Sequence, residues 1–251
     1  MKRIIKRTLQ AIAILLLLLL LMAGGYYLKM RSEIKKMSPA PTKEMVIGTD
    51  TIYSINDSFV NMYLVQSMGE YTAFDAGNDI GVIRTELGKL NINPEKVKAL
   101  FLTHTDGDHV AAISLFKNAK LYFSKDEEQM INGQKHRFFI VNNKIPTTIY
   151  SLLNDGQAVV VQRDTITGIA TPGHSPGSMS YLVDGKFMFT GDALSVKNGK
   201  VEEFNPFFCS DLEMLRESLK KLAKTEGPEY IFTAHYGIHS NYKEAMEPWR
   251  K

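Results

Sequence analysis

The segment Phe101-Leu-Thr-His-Thr-Asp-Gly-Asp-His-Val110 changes character in its middle. Ala99, Leu100, Phe101 and Leu102 form an apolar run, and it turns abruptly into His104, Asp106, Asp108 and His109, four metal-capable side chains within six residues. The run predicts a buried strand over 97–102, and Val110, Ala111, Ile113, Leu115 and Phe116 predict a covered helix after it. The polar loop then falls at the carboxyl end of a strand, where open α/β sheets place their ligand sites.

Three further positions repeat the pattern downstream. They are His174 in Thr171-Pro-Gly-His-Ser-Pro-Gly-Ser178, Asp192 in Phe189-Thr-Gly-Asp-Ala-Leu194 and His235 in Ile231-Phe-Thr-Ala-His-Tyr236. Small residues (Gly173, Gly177, Gly191, Ala234) flank them and allow backbones to approach closely. A lone histidine after a strand is more often structural; the ordered set behind a four-ligand loop is the signal. Around these motifs, strands are expected at 45–55, 59–65, 70–74, 121–123, 158–162, 166–170, 179–183, 187–190 and 230–233. Asn56-Asp57 and Asp184-Gly185 are read as turns. Helices are expected at 79–90, after a capping box Ser124-Lys-Asp-Glu127, after a second box Ser210-Asp-Leu-Glu213 as far as Gly227-Pro228, and at 242–249. Residues 132–157 carry no clear periodicity. Two strand-rich halves, each with helices, predict two packed sheets covered by helices.

The ordered set His104-x-Asp106-x-Asp108-His109, His174, Asp192, His235 resembles the metallo-β-lactamase-fold superfamily of metallohydrolases, over about residues 45–240. The resemblance implies an α+β chain folded as an αββα sandwich, with the site at the edge between the sheets and two divalent metal ions, most often zinc. On that resemblance His104, Asp106 and His174 hold metal one, Asp108, His109 and His235 hold metal two, and Asp192 bridges. Imidazole and carboxylate suit such borderline cations, and paired cations sharing a hydroxide supply the nucleophile without a protein one. Asp108 is the candidate catalytic residue, orienting the nucleophile or taking the leaving-group proton. The implied partner is a small-molecule substrate: an ester, lactone, thioester, amide or phosphoester.

Asp106 departs from the common motif, which has His there. A third carboxylate lowers the charge of the cluster and favours harder cations, so iron or manganese competes with zinc; if Asp106 points away instead, metal one is lost. Flavodiiron oxidoreductases place Glu at this point, which raises an alternative of binuclear-iron redox chemistry, although the chain has no room for their flavodoxin domain. A non-catalytic metal or ligand sensor is the third reading.

Composition sorts the rest. The net charge of +3 is uneven: residues 1–44 carry nine Lys/Arg against two Glu, giving +7 and leaving −4 for the remainder. The basic balance belongs to the N-terminal end and gives no reason to expect nucleic-acid binding. Residues 11–28 are uncharged, with seven leucines at 15–21, and as a helix they rise about 27 Å, close to a bilayer core. Residues 1–10 are read as a basic segment, 11–28 as an uncleaved transmembrane anchor, 29–44 as a solvated tether and 45–251 as the catalytic domain. A cleaved signal peptide with Ala23-Gly24-Gly25 as its cleavage site is the alternative. Lys2, Arg3, Lys6 and Arg7 favour an inside N-terminus and an extracytoplasmic domain, although basic residues flank both ends.

Asp75 is read as a buried carboxylate that orients metal ligands without touching metal. His239 and His136 are read as surface histidines, with a pocket role open for each. Phe204-Asn-Pro-Phe-Phe208 is read as either a pocket wall or core. The single Cys209 excludes an internal disulfide and is no obvious nucleophile.

Overall fold

The computed structural model describes residues 2–137 and 141–250; the expected boundaries at Met1 and Lys251 lie outside them. The chain divides into two compact units, Met1–Met37 and Ser38–Lys251. The first is built on one helix, α1 (Lys2–Ile34, 33 residues). It contains a window long and apolar enough to cross a membrane, none of it buried. Residues 29–34, expected to be a solvated tether, continue this helix.

In the second unit, β1 (Lys43–Ile47), β2 (Asp50–Asp57), β3 (Val60–Ser67), β4 (Glu70–Phe74), β5 (Val97–Phe101), β6 (Lys120–Ser124) and β7 (Ser151–Leu153) form one sheet in that order. Its first four strands are antiparallel and its last four parallel. The strands β8 (Ala158–Val161), β9 (Asp164–Ala170), β10 (Met179–Val183) and β11 (Phe187–Gly191) belong to a second sheet. After the hairpin of β12 (Leu194–Lys197) and β13 (Lys200–Glu203), β14 (Tyr230–Thr233) and β15 (Ile238–Ser240) complete it in the order β15-β14-β11-β10-β9-β8.

Side-chain alternation produces the layers. In β5, Ala99 and Phe101 point inward to a core shared with Phe74, Tyr181, Phe187, Phe189 and Phe232 of both sheets. Leu100 points the other way, toward Ile83 and Leu87 of α2 (Ile80–Lys89), and Val97 joins it because the pairing with β4 shifts register between Val97 and Ala99. Both faces of β5 are covered, which is why it reads as an unbroken apolar run. Beyond the second sheet, Met188 and Ile231 meet Leu219 and Leu222 of a later helix, Leu212–Ala223. The order helix, sheet, sheet, helix is the predicted αββα sandwich.

Some expectations shift for identifiable reasons. The strand expected over 45–55 is a hairpin, because Gly48 takes a positive φ of 66° between β1 and β2. The turn expected at Asn56-Asp57 moves on to Ser58 (φ 64°); Asp57 is buried instead, accepting the Asn78 and Asp79 N–H groups. Asp184 and Gly185 do turn between β10 and β11, both with positive φ. After β5 the chain makes a short helix, α3 (Gly107–Val110), and then only a 3₁₀ turn at Ile113–Leu115.

Neither capping box closes as expected. Ser124 caps a 3₁₀ turn, and a one-turn helix, α4 (Glu128–Ile131), follows, but Glu127 turns inward rather than back. The helix Leu212–Ala223, α5, is capped by Asp211, whose carboxylate accepts the Met214 N–H at 2.9 Å. Ser210 is engaged elsewhere: its Oγ donates to the His174 carbonyl. A last turn, α6 (Tyr242–Ala245), is followed by a 3₁₀ turn at Glu247–Trp249.

Candidate metal centre

Each predicted ligand stands just past the carboxyl end of a strand or in the short helix beside it. His104 and Asp106 follow β5, with Asp108 and His109 in α3; His174 follows β9, Asp192 follows β11 and His235 follows β14. Two glycines allow close approach at the site, one between the sheets and one between the third motif and α5. A Cβ on Gly191 (φ 52°) would lie 2.3 Å from Thr103 Oγ1, and one on Gly173 (φ 137°) would lie 2.5 Å from the Leu215 backbone.

All seven side chains converge. The ligand atoms of His104, Asp106 and His174 lie within 4.8 Å of one another, and so do those of Asp108, His109 and His235 and those of His104, His109 and Asp192. Asp192 links the halves: its Oδ2 is 3.4 Å from His174 Nε2, and its Oδ1 is 3.5 Å from His109 Nε2 and 3.2 Å from His235 Nε2. Asp106 points into the cluster, with Oδ2 3.6 Å from His104 Nε2 and 3.2 Å from His174 Nε2. Asp108 Oδ2 is 3.5 Å from His235 Nε2. The Asp108 and Asp106 side chains are 24% and 16% exposed, whereas those of the histidines and Asp192 do not exceed 4%. Solvent therefore reaches the cluster over these two carboxylates.

Surrounding groups aim the imidazoles. Asp75, held in the left-handed region (φ 61°), accepts the His109 Nδ1–H at 2.9 Å and the Thr103 N–H at 2.8 Å. It is the orienting carboxylate the sequence suggested. His235 Nδ1 donates to the Phe59 carbonyl at 2.7 Å. Both rings thus turn Nε2 toward the cluster, and the outer hydrogen bond sets the tautomer.

The electrostatics of the two halves differ. Burial opposes a charge on His109, yet Asp75, Asp108 and Asp192 lift its pKa to about 10. Burial likewise opposes a charge on His235, and Asp192 and Asp108 raise its pKa. This half draws in positive charge. Burial holds His174 down at about 4, with Arg137 and His104 adding to the effect, so it is neutral. Burial also works against the charges of Asp192 and Asp106. His235, His109 and His174 nevertheless hold Asp192 far below the usual carboxylate range, and His104, His174 and Arg137 do the same for Asp106.

Whether these residues suit a divalent cation can be judged from atoms that lack partners. His109 Nε2, His104 Nε2 and Asp192 Oδ1 are buried without a hydrogen bond among the described residues, a costly arrangement unless a cation completes it. The half formed by Asp108, His109, His235 and Asp192 fits, and the His104 ligand atom lies within 4.8 Å of those of His109 and Asp192 as well as of those of Asp106 and His174. In the other half the Arg137 guanidinium lies on Asp106 and His174: Nε is 2.8 Å from Asp106 Oδ2, and Nη2 is 2.8 Å from His174 Nε2.

Sequence reasoning missed Arg137, which lies in the stretch without periodicity. It also missed Asn143, whose Nδ2 donates to Asp106 Oδ1 at 2.9 Å. A third omission is Glu127, which is fully buried and accepts from Thr105 N (2.8 Å), Thr105 Oγ1 (2.7 Å) and Ser175 Oγ (2.6 Å), tying the first motif to the third. Its place in an apparent capping box concealed that role. Phe204 is buried with its ring 5.1 Å from that of His174 and 5.7 Å from that of His235, so it walls the cluster. His136 is exposed, and His239 lies in β15, where its ring nitrogen meets the Tyr236 carbonyl.

A family model described as the metallo-beta-lactamase superfamily matches residues 55–235. The chain is 31% identical over 159 residues to the uncharacterized protein YobT of Bacillus subtilis, covering 56% of this chain and 64% of that one. It is 27% identical over 201 residues to hydroxyacylglutathione hydrolase of Vibrio campbellii, covering 79% and 70%. A solved metallo-β-lactamase of Cronobacter sakazakii with a HARLDQ motif superposes with a TM-score of 0.62 at 22% identity, covering 80% and 81%, a likeness of fold.

Proposed function

This chain belongs to the metallo-β-lactamase superfamily, and from that premise we propose that it is a metal-dependent hydrolase of small acyl or phosphoryl compounds, carried on a membrane by α1. The reading is supported chiefly by one observation: buried, unpartnered ligand atoms of His109 and Asp192 face His235 and Asp108 across 3.2–3.8 Å. These four residues would hold a divalent cation. Such a cation supplies Lewis acidity, acidifying water and polarising the oxygen of a carbonyl or phosphoryl group.

The chain's own residues supply the rest. Asp108, the most exposed of the set, sits where substrate enters and can take a proton from the attacking water and deliver it to the leaving group. Asp75 and the Phe59 carbonyl keep the two imidazoles in one orientation. Phe204 keeps water from the rear of the cluster. Cys209 is not a nucleophile: burial lifts its thiol to about 12, and it lies against the Phe204 and Asn205 carbonyls. Among its relatives, the hydroxyacylglutathione hydrolase named above supports including thioesters with esters, lactones, amides and phosphoesters in the substrate class.

The test is full-length protein in detergent micelles, loaded with zinc, manganese or iron and assayed on a panel of those compounds with and without chelator. Hydrolysis abolished by chelator and restored by metal is expected; hydrolysis that survives chelation refutes the mechanism. The length and composition of α1, with four basic residues before its apolar run, support an anchor that leaves the domain outside. Protease added to intact cells should then remove the domain, and full protection would refute that orientation.

A further inference from the structure

We propose that Arg137 is the resident cation of the His104, Asp106 and His174 half of the site, so that the centre takes one divalent ion where its family resemblance implies two. The inference rests on reading the site as a metal centre.

Arg137 is 7% exposed, and each of its guanidinium nitrogens is engaged at the cluster. Nε donates to Asp106 Oδ2 at 2.8 Å and to Oδ1 at 3.1 Å, and Nη2 also donates to Asp106 Oδ2. Nη2 reaches His174 Nε2 at 2.8 Å and the Phe208 carbonyl at 3.0 Å. Nη1 donates to the His174 carbonyl at 3.0 Å and to Ser210 Oγ at 3.1 Å. This is a built position with acceptors from the first motif, the third motif and the loop before α5. The Arg137 backbone is fixed as well, exchanging N–H···O bonds with Val141 at 2.8 and 3.0 Å.

The guanidinium and a metal compete for the same lone pairs. A cation ligated by His174 Nε2 and Asp106 would sit about 2.0–2.2 Å from each, and the Nη2 group already bonded to both atoms stands in that place. The fork of Arg137 neutralises Asp106, and Asp192, whose Oδ2 lies 3.4 Å from His174 Nε2, is shared with the other half. A dication added there would meet the guanidinium at contact distance, with the Asp106 charge already paired. Asp106 is held further by Asn143. The other half has no such cation among the described residues: the polar side chains that face Asp108, His109 and His235 are one another's and those of Asp192, Asp75 and His104.

The exchange also accounts for Asp106. A carboxylate presents two oxygens to a guanidinium, whereas the imidazole common at this position presents one lone pair and suits a metal. Asp at 106 and Arg at 137 therefore belong together.

Stoichiometry tests the proposal. Full-length protein in detergent is saturated with Zn(II), freed of excess by gel filtration and analysed by mass spectrometry for zinc per chain; the visible bands of a Co(II) titration provide a second count. Wild type should bind one equivalent by both measures. The double variant Asp106→His, Arg137→Ala should bind two. His235→Ala should lose the single equivalent. Two equivalents in wild type, one in a double variant with a native near-ultraviolet spectrum, or one retained by His235→Ala would each overturn the proposal. Should the double variant not fold, the wild-type count and His235→Ala decide it. No zinc in wild type would instead overturn the reading of the site as a metal centre, and the proposal with it.

Discussion

Gly177→Ala probes how the two sheets are joined behind the site. A Cβ on Gly177 would lie 2.0 Å from the Glu127 backbone nitrogen, 2.3 Å from its Cα and 2.4 Å from the Asp126 carbonyl carbon. Ordinary contact begins near 3.4 Å, so two backbones must separate by more than 1 Å. Overpacking of this kind costs about 1–3 kcal/mol. The retreat also carries the Glu127 carboxylate away from Thr105 N, Thr105 Oγ1 and Ser175 Oγ, and buried groups left unpaired cost roughly 1–3 kcal/mol. A total of about 2–6 kcal/mol is a large share of a stability of about 5–15 kcal/mol. Urea unfolding of the full chain in micelles, followed by the fluorescence of the single Trp249, should show a midpoint lowered by roughly 2 M for an m-value near 2 kcal/mol/M. Gly88→Ala is the control. It lies inside α2 with nothing within 4 Å of a new Cβ, and it should stabilise by about 0.5–1 kcal/mol. A Gly177→Ala protein within about 0.5 kcal/mol of wild type would refute the reasoning.

Three further outcomes follow from particular side chains. Asp75→Asn keeps the size of the group but removes the charge facing His109 Nδ1, so zinc affinity measured against a competing chelator dye should fall about 10–100-fold; unchanged affinity would show that Asp75 does not position His109. Glu127→Gln should stay within about 1 kcal/mol of wild type in urea, because its amide oxygen still accepts from Thr105, whereas Glu127→Ala should lose about 2–4 kcal/mol; equal losses would mean that Glu127 only fills space. Burial raises the Cys209 thiol from 9.0 to about 12, so iodoacetamide at pH 8 should label it about 1,000-fold more slowly than in urea. Since the folded-state value is the higher one, the thiol's contribution to stability is intact below pH 9.0 and is lost as pH rises through about 12; labelling at an ordinary rate in the folded protein would contradict this.

The sandwich and the seven converging side chains were legible because each rests on a local signal. A strand buried on both faces must be apolar throughout, so β5 announces itself, and the polar residues after it stand out against it. The Pro-Gly pairs around His174 and the glycine before Asp192 mark close backbone approach, and Gly173 and Gly191 show it. What stayed hidden depends on distant partners. Ser210 has the chemistry of a cap, but Arg137 and the His174 carbonyl engage its hydroxyl, so Asp211 caps α5. Arg137 reaches Asp106 and His174 across 31 and 37 residues from a stretch without periodicity, and no local pattern distinguishes it from a surface arginine.

Asp106 shows how the local and distant signals combine. By position it begins α3, yet its side chain makes no capping bond there. A carboxylate withheld from a helix N-terminus, where it would be favoured, is being used elsewhere, and Arg137 and Asn143 are the users. The consequence reaches past metal count. A site whose only cations are exchangeable metals has its buried carboxylates in repulsion whenever the metal leaves. With a guanidinium fixed on Asp106 and His174, one half of this site keeps its geometry without metal, and through the His174 carbonyl and Ser210 the same guanidinium holds the third motif against the loop before α5. Breaking such a buried pair by removing one partner costs about 3–5 kcal/mol, so Asp106→His alone should damage the fold more than the exchange of both residues. That asymmetry separates an arginine that organises the site from one that merely lies beside it.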